Sequence, residues 1–298
     1  MLRTLNIDSS LNSEESIVYY DGIIDWEALS KGDVVCINLH GVFFMTPFCL
    51  LGLLIRCRQC FERTGELVIL DGLSDDVYKY LLRMKFFQST IEWLKLGTDY
   101  SSVMPWDENP YSTNLIEITK IDQDEEKGAR DVIKVAGLLR EREREILSLW
   151  LERNEIETDD FVTVLSEIAQ NIFEWSGDTG YIALNRYYFS SEGKNIIRLS
   201  IIDGGKGLHT TVKNKIGNKY EHNSEYLCHP FQYSLSRSKG GGLYKVFDFL
   251  KQWNGYLFVR SGDSYVYKSK DMISFIKRDN IPFFNGTHIG IQLNQNSP

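Results

Sequence analysis

Two stretches of this chain combine residue types and spacings that could act on a bound ligand. In SEIAQNIFEWS, residues 166–176, Glu167 and Asn171 stand four residues apart, so one helical turn would present a carboxylate and a carboxamide on neighbouring positions. In IIRLSIIDGGKGL, an apolar run ends at Asp203, whose carboxylate could accept a hydrogen bond from an amine of a buried ligand. Taken alone, the first pair also fits the polar flank of an ordinary helix, and the second fits a turn.

Glycines and one threonine add to this chemistry. Gly205 and Gly207 follow Asp203, and glycine lets a backbone approach a ligand without a Cβ clash. In SRSKGGGLYKVF, the run 240–242 stands before a helical pattern, where free N–H groups and the helix dipole can hold a phosphate, and Lys239 adds positive charge. Thr287, in NGTHIGIQL, could join a ligand network at the start of a strand, although β propensity alone explains a threonine there.

The second half of the chain must supply the elements that position these residues. Apolar residues at three- and four-residue steps predict a helix from about Asp159 to Trp175 with one core-facing stripe. That stripe is Phe161, Val164, Leu165, Ile168, Ile172 and Trp175. Strands are predicted at GYIALNRYYF, IIRLSIID, YLFVRSGDSYVY and THIGIQL, and a helix at LYKVFDFLKQWNG. Hairpin-like strand pairs mixed with helices favour an α/β sandwich over a doubly wound sheet.

The first third predicts a separate α/β domain with βαβα order. DVVCINLHGVFF reads as a buried strand, and Thr46-Pro47 opens a helix that runs to a glycine stop. ELVILDGL is the second strand, and Ser74 caps the second helix. Residues 98–128 are polar and rich in turn residues. The predicted organisation is a regulatory domain over 1–110, a linker over 111–129 and a ligand-binding domain over 130–298.

Composition narrows the classes of partner. The chain has 298 residues, a formal net charge of −8 and a pI near 5.3, which argue against a general nucleic-acid or anionic-membrane surface. No signal peptide or membrane span is read in the sequence, and five cysteines without framework spacing suggest reduced thiols in the cytoplasm. The Cys57–Cys60 pair lies in a helical run without a second ligand pair, so a structural role is expected rather than a zinc site.

Four motifs resemble those of the GHKL, or Bergerat-fold, ATPases. In order along the chain, they are E-x-x-x-N on a helix, D-x-G-x-G after a strand, G-G-G-L before a helix and G-T before a last strand. This resemblance covers roughly residues 158–293. It implies that Asn171 ligates a Mg²⁺ bridging the phosphates of ATP, that Asp203 accepts from the adenine amine with support from Thr287, and that Glu167 is the general base. It also implies a mobile lid over residues 208–239. The ATP-binding residues expected are Asn171, Asp203, Gly205, Gly207, Leu208, Lys239, Gly240, Gly241, Gly242, Leu243 and Thr287, with Asn171 as the metal ligand.

The compact motif around Asn171 is most similar to that of the anti-sigma-factor serine kinases. None of the five histidines is followed by an acid, as the phosphoacceptor of a sensor histidine kinase usually is. Two departures from the family pattern lie near the pocket: Trp175 stands where histidine is common, and Lys206 where an apolar residue is usual.

Residues 33–88 resemble a STAS domain, the fold of the antagonists that such kinases phosphorylate. Where those antagonists carry an Asp-Ser pair, this chain has Thr46-Pro47, so the usual phosphorylated serine is missing and Thr46 is the candidate substitute. A docking or sensory role for this domain is the alternative.

Two functions remain open from the sequence. The first is a Mg²⁺-dependent ATPase or protein serine/threonine kinase regulated through the STAS-like domain. The second is an ATP-gated interaction protein with little turnover, in which nucleotide orders the lid and changes a partner surface. Either predicts protein partners in the cytoplasm, and a homodimer is one open assembly.

Overall fold

The computed structural model describes residues 1–23, 26–105, 115–143, 155–189, 193–233 and 242–295. The chain divides into two compact units, Met1–Ser112 and Thr113–Pro298. The first unit contains a parallel sheet and the second an antiparallel sheet, both with helices. A mixed α/β chain was predicted, and this part of the fold prediction is confirmed. Within the described residues, no helix is both long and apolar enough to cross a membrane.

The first unit is a four-stranded sheet in which every neighbouring pair is parallel. Its strands, in sheet order, are β1 (Leu2–Asn6), β2 (Val34–Asn38), β3 (Val68–Asp71) and β4 (Leu94–Leu96). Its helices are α1 (Glu14–Asp21), α2 (Pro47–Thr64), α3 (Asp75–Arg83) and α4 (Phe86–Thr90), with a short 3₁₀ turn at Trp26–Ala28. Parallel neighbouring strands need long crossover connections. In this unit the helices between consecutive strands form these connections.

The helix signals read in this unit are confirmed. The Thr46 hydroxyl accepts from the Cys49 N–H at 3.3 Å, and Pro47 occupies the first turn of α2. Gly65 ends α2 in the left-handed region at φ 74°. The Ser74 hydroxyl accepts from the Val77 N–H at the start of α3. Local capping chemistry therefore determined these boundaries.

The second unit is a seven-stranded sheet in the order β10-β9-β8-β11-β7-β6-β5, with every neighbouring pair antiparallel. The strands are β5 (Leu115–Ile121), β6 (Gly180–Phe189), β7 (Lys194–Asp203), β8 (Tyr256–Gly262), β9 (Ser264–Ser269), β10 (Ile276–Arg278) and β11 (Phe284–Asn294). The helices are α5 (Glu125–Glu143), α6 (Glu155–Asn171), α7 (Leu208–Ile216), α8 (Asn223–Gln232) and α9 (Gly242–Gln252). The last strand in the chain thus lies between β8 and β7, near the middle of the sheet.

Helices α5, α6, α8 and α9 contribute to one hydrophobic core with alternate residues of the central strands. On α6, Phe161 is 1% exposed and its ring stacks on Phe249 of α9 at 5.6 Å between centroids. The other members of its stripe through Ile172 are buried as predicted. Burial of this stripe holds α6 against the sheet, which gives its C-terminal end a defined position.

Trp175 was predicted to belong to that stripe, and this prediction is wrong. Its side chain is 42% exposed. The helix changes at Ile172–Ser176 into a single π turn, which is wider than an α turn, and this changes the direction of the residues that follow Ile172. Gly177, at φ 71°, ends the turn. We call Ile172–Ser176 the π turn below.

The predicted linker over 111–129 is also corrected. Leu115–Ile121 is the edge strand β5, and α5 begins at Glu125. Ile116, Ile118 and Ile121 of this strand are buried, although its pairing with β6 has a register shift between Ile116 and Thr119. Polar, turn-rich neighbours on both sides obscured this short strand in the sequence. Helix α5 extends to Glu143, and residues 144–154 fall outside the described part of the chain.

The segment predicted as a lid, residues 208–239, contains α7 and α8. The two helices are joined by a turn at which the buried Tyr226 hydroxyl donates to the carbonyls of Gly217 and Tyr220, at 3.2 and 3.0 Å. Its mobility stays a prediction. Residues 234–241 lie outside the described part of the chain, and with them the predicted ligand-binding residues Lys239, Gly240 and Gly241.

Candidate functional site

Asp203 is the centre of the candidate site. It ends β7 and pairs with Thr287 of β11 on one side and Gly180 of β6 on the other. Because directly paired residues of antiparallel strands point to the same face, the Asp203 carboxylate and the Thr287 hydroxyl lie side by side. Asp203 is 7% exposed, and its Oδ1 accepts from the Gly205 N–H at 2.9 Å. A strand end of this kind presents a carboxylate that is nearly closed to water.

Burial dominates the electrostatics of this carboxylate. It raises the pKa of Asp203 to about 7, although hydrogen bonds from Gly205 and Thr287 act in the opposite direction. The nearby Asp178 carboxylate contributes a further increase. Asp203 therefore changes charge near neutral pH, and a ligand amine that donates to it would favour the ionised form.

The loop after Asp203 is held by close backbone packing. A side chain at Gly205 would collide with the backbone carbonyl of Ser176, in the π turn, and the Lys206 N–H donates to that same carbonyl at 2.9 Å. Gly207, at φ 80°, lies against the other side of the site, where an added Cβ would be 3.0 Å from the Gly286 carbonyl. Glycine is thus required at both positions by contact, and at Gly207 also by backbone conformation.

Asn171 and Glu167 lie at the C-terminal end of α6, directly before the π turn. Asn171 is the last residue of the helix, and its Nδ2 donates to the Glu167 carbonyl at 2.7 Å. Since the amide nitrogen is used by the helix, the amide oxygen is the atom of Asn171 suited to ligate a cation. Glu167 is half-buried one turn earlier. The π turn follows Asn171 directly and packs on Gly205, so the end of α6 and the Asp203 loop form one arrangement.

The remaining predicted residues have different positions. Leu208 begins α7 and is partly buried against the hydrophobic core. Gly242 opens α9, as the glycine-before-helix pattern predicts, while Leu243 is 9% exposed and belongs to the core. Five of the predicted residues come from three separate segments, which are connected around Asp203 by strand pairing or by contacts of the π turn. These segments are the end of α6 with Asn171, the stretch from Asp203 through Gly205 to Gly207, and β11 with Thr287.

Three neighbours of the site were not found from the sequence. Ser261 pairs with Thr287 across β8 and β11, and its hydroxyl donates to the Gly286 carbonyl at 2.6 Å. His209 Nδ1 lies 3.1 Å from the Ser261 hydroxyl, and burial lowers the pKa of His209. The Ser176 hydroxyl donates to the Ile172 carbonyl at 2.6 Å. His209 stands two residues after Gly207, and Ser176 ends the motif SEIAQNIFEWS, so both had a signal in their sequence position. The position of Ser261 depends on strand register, which the sequence does not show.

Thr46 in the first unit is poorly suited to accept a phosphoryl group. Its side chain is 1% exposed, and its hydroxyl caps α2. A phosphoryl group on this oxygen would need space inside the unit and would remove the cap. The Thr46 alternative raised by the sequence is therefore not supported by the geometry.

The buried Asp203 carboxylate, beside the partly exposed Thr287, can accept from a planar polar group. The end of α6 carries an amide oxygen and a carboxylate that suit a charged group. A scan against protein-family models gave no match, and searches of curated proteins and of solved structures also found no similar protein.

Proposed function

We propose that this chain binds ATP through its second unit and uses Mg²⁺ to hydrolyse it or to transfer its terminal phosphoryl group to a protein serine or threonine, as GHKL ATPases do. The observation that carries the proposal is the grouping around Asp203. Thr287 pairs with Asp203, while Gly205 packs on the π turn that directly follows Asn171. Motifs that are far apart in the sequence thus belong to one connected region, as a single nucleotide site requires.

In this proposal, Asp203 recognises the adenine amine. A carboxylate that is nearly closed to water loses few competing hydrogen bonds when the amine binds, so the contact discriminates well between ligands. Thr287 supports the same contact from the adjacent strand. The close packing of Gly205 and Gly207 against neighbouring residues fixes the backbone of the loop that follows Asp203.

The residues at the end of α6 fit a phosphate-bound Mg²⁺. Mg²⁺ usually keeps several waters and takes one or two protein oxygens together with phosphates, so the amide oxygen of Asn171 is a sufficient protein ligand. When bound, the ion would neutralise charge on the phosphates.

Glu167 is the proposed general base. The oxygen of a water or a serine hydroxyl attacks the terminal phosphorus, the bond from that phosphorus to the ADP oxygen breaks, and the Glu167 carboxylate takes the proton of the attacking group. Its half-buried position one turn before Asn171 suits this role, since base and metal ligand would act on the same phosphate.

We further propose that the first unit is a STAS-like regulatory module that docks a partner or senses a signal. Thr46 is buried and its hydroxyl caps α2, which favours a docking or sensory role over a phosphorylation switch at that turn.

Single-turnover ATP cleavage with calorimetric ATP binding tests the proposal. Glu167→Gln should bind ATP like the wild type while cleavage falls by at least about 100-fold, the usual range for loss of a general base. Asp160→Asn is the matched control, because Asp160 is an exposed acid on the same helix, and it should cleave normally.

Unchanged cleavage in Glu167→Gln would contradict the assigned base. Negligible cleavage by the wild type, combined with ATP-dependent assembly measured by light scattering, would favour the ATP-gated interaction protein.

A further inference from the structure

Two lysines approach the π turn and the residue that follows it. The Lys215 ammonium lies 3.5 Å from the centroid of the Trp175 ring, which is within cation–π distance. The Lys206 side chain runs beside Gly177, with its Cε 3.6 Å from where a Cβ would stand. In a chain with net charge −8, this places two positive groups at the turn that connects Asn171 to the Asp203 loop.

Lys215 belongs to α7 and Trp175 to the π turn, so their contact joins two elements of the site. The Trp175 indole N–H donates to the Glu174 carboxylate at 3.1 Å. Burial lowers the pKa of Lys215, and the Glu174 carboxylate acts in the opposite direction. Glu174 is thus the carboxylate that acts on Lys215, while Asp178 acts on the buried Asp203.

The other lysines of this segment have different partners. Lys213 lies over Tyr226 at 5.7 Å, and Lys219 lies over Tyr220 and Tyr233 at 5.4 Å each. These rings belong to α8 and its flanking residues. Lys215 differs because its ring belongs to the turn after Asn171, and because its ammonium is much closer to that ring.

We propose that Lys215, seated on Trp175, is a specificity residue that binds the phosphate tail of the nucleotide. The inference rests on the proposed function. An exposed lysine loses considerable rotamer freedom when it orders on a ligand, and a ring that already holds the ammonium near the site reduces that loss. A phosphate is a stronger partner than the face of an indole, so the ammonium can turn from Trp175 to the ligand. In this proposal, Trp175, which departs from the family pattern, holds the Lys215 ammonium close to the site.

Calorimetric titration with Mg²⁺·ATP and, separately, with adenosine distinguishes the two ends of the nucleotide. Lys215→Gln should weaken ATP binding about tenfold, as expected for one lost charged contact, and should leave adenosine binding unchanged. Lys213→Gln removes the same charge from the same helix and should bind both ligands like the wild type. Trp175→Leu should weaken ATP binding less than Lys215→Gln does, and Trp175→Phe, which keeps an aromatic face, should restore most of it.

A merely structural role of Lys215 would change the affinities for both ligands together. An unchanged ratio of ATP to adenosine affinity in Lys215→Gln overturns the role of Lys215 while leaving the nucleotide site intact. Tighter ATP binding in that variant also overturns it, since Lys215 would then be an internal occupant that the nucleotide displaces. A wild type that binds neither ligand overturns the proposed function itself, and the inference with it.

Discussion

One strand in each unit ends in the same local pattern, an apolar run followed by Asp-Gly. In the first unit VILDG ends β3 at Asp71, and in the second SIIDG ends β7 at Asp203. Each aspartate also has a threonine from a neighbouring segment as a partner: Thr98 donates to Asp71 at 2.6 Å, and Thr287 hydrogen-bonds to Asp203.

The two carboxylates nevertheless have opposite electrostatics. Hydrogen bonds from Thr98 and the Gly72 N–H hold the pKa of Asp71 below its usual value in a partly exposed position. Burial raises the pKa of Asp203 to about 7. The same side chain at the same kind of strand end is therefore a partly exposed acid with a lowered pKa in one unit and a buried acid with a raised pKa in the other. Burial, rather than the local pattern, makes the difference.

The largest expected effect is on ATP binding, when each of the two aspartates is replaced in turn. Asp203→Asn should weaken ATP binding by at least about 100-fold, because a buried carboxylate acceptor is replaced by a group that also carries a donor. Asp71→Asn is the matched variant and should bind ATP like the wild type. Calorimetry measures both affinities, and circular dichroism checks that both variants fold.

Equal ATP affinities for the two variants and the wild type would remove Asp203 from the site. A loss of affinity in Asp71→Asn would instead mean that the first unit takes part in binding.

Gly205→Ala should produce the next largest effect, on stability. The new Cβ meets a backbone carbonyl, that of Ser176, which cannot move without shifting the π turn, so we expect the free energy of unfolding to fall by about 1–3 kcal/mol. Gly137→Ala is the control: apart from the backbone of its own helix, no atom of the described residues lies within 4 Å of the added Cβ. Alanine within α5 should be neutral or stabilising by up to about 1 kcal/mol. Urea denaturation measures both. Equal stability of the two variants would mean that the loop is not held as described.

The two aspartates should also give pH effects of opposite sign. Between its ordinary pKa of 3.8 and about 7, folded Asp203 keeps a proton that the unfolded chain has lost, so its contribution to stability decreases as pH rises through this range. The slope is at most about 1.4 kcal/mol per pH unit. Asp71 has a lowered pKa in the folded state, so its contribution is present at neutral pH and is lost as pH falls through acidic values.

Urea denaturation of the wild type and of Asp203→Asn at a series of pH values from about 4 to 8 isolates this term as the difference between the two curves. That difference should favour the variant increasingly as pH rises towards neutrality. A difference that is independent of pH would show that Asp203 titrates at its ordinary pKa.

The comparison also explains what the sequence could and could not predict. Local signals predicted the helices and the candidate site. These signals are the capping residues, the apolar stripe of α6 and the residue types at Asp203 and Asn171. The surroundings that bury Asp203 include residues distant in the chain, such as Thr287 of β11, so the Asp-Gly pattern alone does not predict its burial. Ser261 was likewise not predicted, because its position beside Thr287 depends on the register between β8 and β11.

Two local patterns were misleading for different physical reasons. Strand β5 is short and has polar neighbours, so composition suggested a linker where an edge strand forms. Trp175 followed a regular apolar spacing, but the π turn interrupts the α-helical period on which such spacing depends. Sequence periodicity predicts an element only as far as its regular geometry continues.

The smallest expected effects come from the two threonines. Thr98→Val removes a hydrogen bond to an exposed carboxylate and should lower the free energy of unfolding by about 0.5 kcal/mol, because water can replace the lost donor. Thr287→Val leaves the buried Asp203 with one hydrogen-bond donor fewer where water has little access. It should lower the free energy of unfolding by about 1–2 kcal/mol at neutral pH, where Asp203 is partly ionised.

The two substitutions should respond differently to pH. At about pH 5, where Asp203 is neutral, the loss of stability in Thr287→Val should become smaller, while that in Thr98→Val should stay nearly constant because Asp71 remains ionised there. Denaturation of both variants at the two pH values tests this, and a cost that behaves alike for both threonines would mean that burial does not distinguish the two strand ends.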